Sequence, residues 1–110
     1  QFLVPHAPSE TLRAIVSDAA ALGVELKWFG AEAPAGFTSA HRSWRYMAPQ
    51  SLPQTDAVLA GLLDMRVPLT FSLADCGHIA DILPDLIEIG IDATAHLDSQ
   101  SSQLAGAYSR

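Results

Sequence analysis

The stretch from Thr55 to Leu83, TDAVLAGLLDMRVPLTFSLADCGHIADIL, carries most of the information about the fold, because three elements follow one another in it with separate signals. Thr55 has the chemistry of an N-cap, and Val58, Leu59, Leu62 and Leu63 recur at helical spacing, which predicts a short helix. Val67, Leu69 and Phe71 then alternate with Pro68 and Thr70, which predicts a strand. The proline confines that strand to a sheet edge or a strand start, because it has no amide to donate to a ladder. Ser72 and Asp75 have the spacing of a capping box, and Cys76, Ile79, Ala80, Leu83 and Ile87 form the apolar stripe of the helix that the box opens. Pro84 predicts a bend or break in that helix, since its ring removes one amide donor and crowds the preceding turn.

Upstream, Val24 to Phe29 alternates, with Val24, Leu26 and Trp28 on one side and Glu25 and Lys27 on the other, the pattern of a half-buried strand. Before it, Ser9 is a suitable N-cap, and Leu12, Ile15, Val16, Ala19 and Leu22 keep helical spacing up to Gly23, a good residue for the position after the C-cap. Gln1 to Val4 is a short apolar run stopped by Pro5 and Pro8, which fits a strand leading into a turn. The order β-α-β, long loop, α-β-α predicts an α/β (α+β) two-layer sandwich, a small sheet covered on one face by helices. Residues 1–98 are expected to form this single small domain. Residues 99–110, rich in Ser, Gln and Gly, are expected to be a disordered, frayed tail. Three short strands with one bare face are marginal alone, so that face or the loop is expected to pack on another domain or subunit.

The chain has 110 residues, 49% hydrophobic and 16% charged, which suits one compact domain and excludes two independent cores. The lone cysteine, Cys76, excludes a disulfide framework and points to a reduced, cytoplasmic setting. Six basic against twelve acidic side chains give a formal net charge of −6, which argues against a nucleic-acid surface. The acids are unevenly placed: Asp75, Asp81, Asp85, Glu88, Asp92 and Asp98 follow Ser72 with no Lys or Arg before Arg110. No apolar run approaches the ~20 residues a membrane span needs. A start at Gln1 that leads straight into an apolar run suggests a piece of something longer.

Between Gly30 and Gln54 periodicity disappears, and a loop of this length inside a small domain usually serves a function. It carries Phe37, His41, Arg42, Trp44, Arg45 and Tyr46. Arginines interleaved with aromatic rings can hold a planar, anionic small molecule, through forked donors to phosphate or carboxylate and through stacking rings that exclude water. The same residues also suit a plainer role, with Trp44 and Tyr46 anchoring the loop and both arginines in solvent or paired with the acidic helix. The four histidines (His6, His41, His78, His96) lack the spacing of metal ligands, so no metal is expected. Cys76 reads as a small core residue, His78 as a surface residue, and Asp75 as a helix cap. Lys27, the only lysine, lies on the polar side of its strand beside Glu25 and reads as solvated rather than as a Schiff-base nucleophile.

Two segments resemble the C-terminal small domain of the DegT/DnrJ-type aminotransferases, fold-type-I pyridoxal-phosphate enzymes that aminate keto sugars on nucleotide carriers. Thr55 to Leu83 is similar to the family's closing unit, a short helix, a strand of "vLsLPl" type and a capped helix beginning "lt.eD...I...i". Leu63-Asp64-Met65-Arg66-Val67-Pro68-Leu69 stands at the strand, Ser72-Leu73-Ala74-Asp75 opens the helix, and Ile79 and Ile82 take its apolar positions. Ser9 to Gly30, SETLRAIVSDAAALGVELKWFG, resembles the family's "r..l...L...GI....y" helix and strand, with Gly23-Val24 at "GI". Together the two segments cover about half the chain. The central loop departs from the family: Trp28-Phe29-Gly30 and the run Ser43-Trp44-Arg45-Tyr46 stand where a Tyr-Pro or His-Tyr turn is common.

The resemblance implies a parent enzyme that transfers an amino group to a keto sugar or related keto substrate. It implies a large domain of the same chain that binds the pyridoxal phosphate and supplies the catalytic lysine, and a homodimer with an active-site mouth near the subunit interface. No catalytic residue and no cofactor ligand fall within these 110 residues, so the piece alone is not catalytic. Its candidate substrate contacts are His41, Arg42, Trp44, Arg45 and Tyr46. The competing expectation is a stand-alone α/β module that binds a small ligand or a protein partner.

Overall fold

A computed structural model describes residues 1–33, 48 and 50–108 of the chain. Its elements are β1 (Phe2–Leu3), α1 (Ser9–Ala21), β2 (Leu26–Trp28), α2 (Pro53–Leu59), β3 (Leu62–Met65) and α3 (Leu73–Tyr108). This is a small α+β protein with a three-stranded antiparallel sheet in the order β1-β3-β2. The register pairs Phe2 with Leu63 and Leu3 with Leu62 on one side of β3, and Leu26 with Met65, Lys27 with Asp64 and Trp28 with Leu63 on the other. Because side chains alternate along a strand, directly paired residues share a face. Phe2, Leu26, Trp28, Leu63 and Met65 therefore lie on one face, and Leu3, Lys27, Leu62 and Asp64 on the opposite one. Leu63, flanked on both sides, is completely buried.

The third strand differs from its sequence expectation. Val67–Phe71 is not a strand but runs through a tight turn closed by the Phe71 amide on the Pro68 carbonyl at 3.0 Å. Leu62 and Leu63, expected in the helix, belong to β3 instead. The reason is visible at Gly61, where the helix stops and the Val4 amide bonds the Gly61 carbonyl at 2.9 Å. A Cβ at this position would collide with the Val4 carbonyl, so only glycine lets β1 approach. Pairing Leu63 between Phe2 and Trp28 buries more apolar surface than an extended run interrupted by Pro68 could. Helix α2 likewise opens with Pro53 in its first turn rather than on a Thr55 cap.

Helix α1 lays Leu12, Ile15 and Ala19 into the core beside Val4, Val24, Leu26, Trp28 and Leu63. Pro8 stands at its N-cap without a side-chain cap hydrogen bond, and Ser9 is the first helical residue rather than the cap. Its other end follows the sequence. Gly23 adopts φ of +82°, its amide bonds the Ala20 carbonyl at 3.0 Å, and the Val24 amide bonds the Ala19 carbonyl at 2.8 Å. That is a Schellman closure, and Val24 and Ala19 supply the buried apolar contact that accompanies it.

Helix α3 packs Ile79, Leu83, Leu86 and Ile87 against the core and crosses α1 at Gly90. A Cβ on Gly90 would lie 2.8 Å from Ile15 Cγ1, so the crossing depends on the missing side chain. One turn on, the Thr94 hydroxyl donates to the Gly90 carbonyl at 3.0 Å and shares a second hydrogen bond with the buried Thr11 hydroxyl. Two expectations are corrected here. The helix is not broken at Pro84, because apolar side chains on both sides of the proline pack on the same core. The segment from Ser99 is helical as far as Tyr108 rather than frayed. There the Ser99 hydroxyl bonds the His96 carbonyl at 2.8 Å and the Ser102 hydroxyl bonds the Asp98 carbonyl at 2.9 Å, so the serines satisfy themselves within the helix.

Candidate functional site

The candidate contacts His41, Arg42, Trp44, Arg45 and Tyr46, with Phe37, lie outside the described residues. What the structure describes is the frame from which that excursion leaves. Trp28, at the end of β2, donates its indole Nε1–H to the Ala60 carbonyl at 2.8 Å. This bond ties the point where the chain leaves the sheet to the point where it returns after α2. The Arg13 guanidinium lies 5.9 Å from the centre of the indole ring, within cation–π range. Gly30 passes so close beneath the ring that a Cβ would sit 2.6 Å from Nε1. The alternation of β2 assigned Trp28 to the core but gave no sign of this polar anchor, since its acceptor lies 32 residues away in sequence.

The remaining titratable residues take structural places. Lys27 Nζ lies 3.8 Å from Glu25 Oε1 on the side of β2 that the alternation assigns to it, but its side chain is only 16% exposed, so it is not the solvated lysine the sequence leads one to expect. Asp75 completes the capping box: its Oδ2 accepts from the Ser72 hydroxyl at 2.7 Å and the Ser72 amide at 2.8 Å, while its own amide donates to Ser72 Oγ at 3.2 Å. The Ser72 hydroxyl and then the Ser72 amide hold the Asp75 carboxyl below its ordinary value, with a smaller pull from His78. Cys76 is half-buried and His78 exposed. Among the described residues no group of three His, Cys, Asp or Glu side chains could hold a metal ion. None of the described helices is long and apolar enough to cross a membrane.

Among the described residues, two clefts lie beside the core. One, of about 230 Å³, lies between the β1–α1 connection and α3 and is lined by His6, Thr11, Thr94 and Asp98 among apolar neighbours. His6 has a left-handed backbone, φ of 59°, between two prolines, a conformation that histidine tolerates better than most residues. The other, of about 260 Å³, lies beside the sheet and is lined by Val24, Met65, Phe71 and Ile79, with Glu25 and Arg66 as its charged residues. The turn that follows it exposes Val67, Leu69 and Leu73 to solvent, Leu69 completely. Sequence reasoning missed this surface by assigning Val67 and Leu69 to a strand.

Chemically, the described residues offer hydrogen-bond acceptors, one capped helix and apolar surface, and no nucleophile set against a base. They do not fit a pyridoxal phosphate site either. Such a site needs a lysine for the cofactor's aldehyde and donors for its phosphate, and Lys27, the only lysine, is mostly buried on β2 with its ammonium turned to Glu25. Compared with protein-family models, with curated proteins and with solved structures, the chain matches none.

Proposed function

We propose that this chain serves as the small, non-catalytic domain of a pyridoxal-phosphate-dependent aminotransferase of DegT/DnrJ type, acting on a keto sugar or related keto substrate in the cytoplasm. In this reading a large domain of the same polypeptide holds the cofactor, and two copies of the whole assemble as a homodimer. The domain is a two-layer sandwich of β-α-β-loop-α-β-α order, its helices on the Leu63 face of the sheet. The face carrying Leu3, Lys27, Leu62 and Asp64 then meets the large domain. The observation that supports the reading best is the closing unit: α2, β3 and an α3 opened by Ser72 and Asp75 follow one another in the order the resemblance implies.

The Trp28–Ala60 bond gives the central excursion a fixed base, from which Arg42 and Arg45, with His41, Trp44 and Tyr46, reach an anionic group of the substrate. A hydrogen bond to a charged group contributes about 1.5–3 kcal/mol. Replacing both arginines by Gln in the polypeptide that carries this chain is therefore expected to raise the apparent KM for the keto substrate by well over tenfold. Steady-state kinetics reads this directly, and an unchanged KM removes the substrate contact from the proposal.

A further inference from the structure

The cleft between the β1–α1 connection and α3 is apolar on its walls and offers acceptors rather than donors. Its volume is about 230 Å³, and Pro5, Pro8, Ile91 and Ala95 supply apolar surface to it. The most buried of its polar residues is Thr11, at 2% exposure. The Thr94 hydroxyl has a single proton, which goes to the Gly90 carbonyl at 3.0 Å. In the bond that the two threonines share, the donor is therefore Thr11. Thr11 Oγ1 is left with lone pairs and no proton to give. Asp98 lies one turn after Thr94 on the same face of α3, and its carboxylate has no ion pair or hydrogen bond among the described residues. His6 lines the cleft from the β1–α1 connection, while no Lys or Arg lines it. The first amides of α1 would favour an anion, but Ser9 and Glu10 do not line the cleft, and Glu10 already places a carboxylate in that turn.

We propose that this cleft binds a small organic cation, a primary ammonium carried on an apolar body about the size of a benzene ring. An ammonium is three donors with no acceptor, which matches an unpaired carboxylate, a hydroxyl oxygen that has spent its proton and an imidazole nitrogen. Its bond to Asp98 is charge-assisted and so stronger than one between neutral groups. The apolar body is taken out of water by the walls, and the volume suffices, since an apolar cavity of roughly 150 Å³ accepts benzene. A neutral molecule of the same shape lacks the charge that Asp98 answers. An anion meets both Asp98 and a chain of formal net charge −6. The assignment follows from the residues of the cleft alone and does not rest on the aminotransferase reading.

Benzylamine and benzyl alcohol, alike in shape and different in charge, are titrated into the isotopically labelled chain and followed by amide NMR, which also reports whether each variant is folded. Benzylamine is expected to give saturable shifts at the Ala7, Thr11, Thr94 and Ala95 amides, with half-saturation at about a millimolar or below. Benzyl alcohol and the Asp98→Asn variant are each expected to bind at least about tenfold more weakly, as fits the loss of a hydrogen bond to a charged group. Asp92→Asn, on the same helix but outside the cleft, is expected to leave binding unchanged. Ala95 is exposed, so Ala95→Leu is expected to keep the fold while filling the cleft and abolishing the shifts. Benzylamine that shifts none of these amides overturns the proposal. So does an equal response to benzyl alcohol, indifference to Asp98→Asn, or an equal loss with Asp92→Asn, which would mark a general attraction to an acidic chain.

Discussion

Among single residues, the fold turns on Leu63 and the glycine two positions before it. Leu63 is flanked by Phe2 and Trp28 and loses all solvent contact, while Gly61 lets the Val4 amide reach its carbonyl at 2.9 Å. Replacing Gly61 by Ala sets a methyl group against the Val4 carbonyl, which is backbone and has no rotamer to relieve the contact. Overpacking of this kind costs about 1–3 kcal/mol. Gly61→Ala is therefore expected to lower stability by about 2 kcal/mol, read from the midpoint of urea unfolding at unchanged slope. A variant as stable as the parent would show that β1 need not lie where this register puts it.

Among the elements, what could be read from the sequence was whatever depended on neighbours within a turn or two. The Gly23 closure of α1, the alternation of β2 and the Ser72–Asp75 box at the head of α3 are local hydrogen-bonding or packing patterns, and each is where the residues predict it. The position of β3 is not local. Choosing between Leu62–Met65 and Val67–Phe71 depends on β1, some sixty residues upstream, and on α1 burying the resulting face. Pro84 and the serines after His96 are weak helix formers on local grounds, yet the helix continues through them, Pro84 between side chains packed on the core and Ser99 and Ser102 with their hydroxyls bonded to carbonyls of the same helix. Two glycines of α3 separate local propensity from packing. Gly77 has open space where a Cβ would go, so Gly77→Ala is expected to stabilise by up to about 1 kcal/mol from helix propensity alone. At Gly90 the same gain is opposed by the clash with Ile15, so Gly90→Ala is expected to be the less stable of the two by at least about 1 kcal/mol. Thermal unfolding of both variants checks this, and equal effects would contradict the close crossing of α1 and α3.

For the molecule as a whole, composition placed the chain among small folded domains, and residue types made the central excursion the candidate for chemistry. Its base is now defined by Trp28, Arg13 and Ala60, a constellation drawn from β2, α1 and the end of α2 that no spacing in the sequence could reveal. The exposed Leu69 turn was hidden for the same reason as β3: an alternating apolar run reads as a strand until something else takes its place in the sheet. In the proposed function these residues assist a cofactor they do not hold. The decisive measurement is made on the native polypeptide that contains them, purified from its source, reduced with borohydride and mapped by peptide mass spectrometry. The expected result is a polypeptide several times longer than 110 residues, with a pyridoxyl label on a lysine outside this sequence. A native product of this length that carries no label, or a label on Lys27, would contradict it.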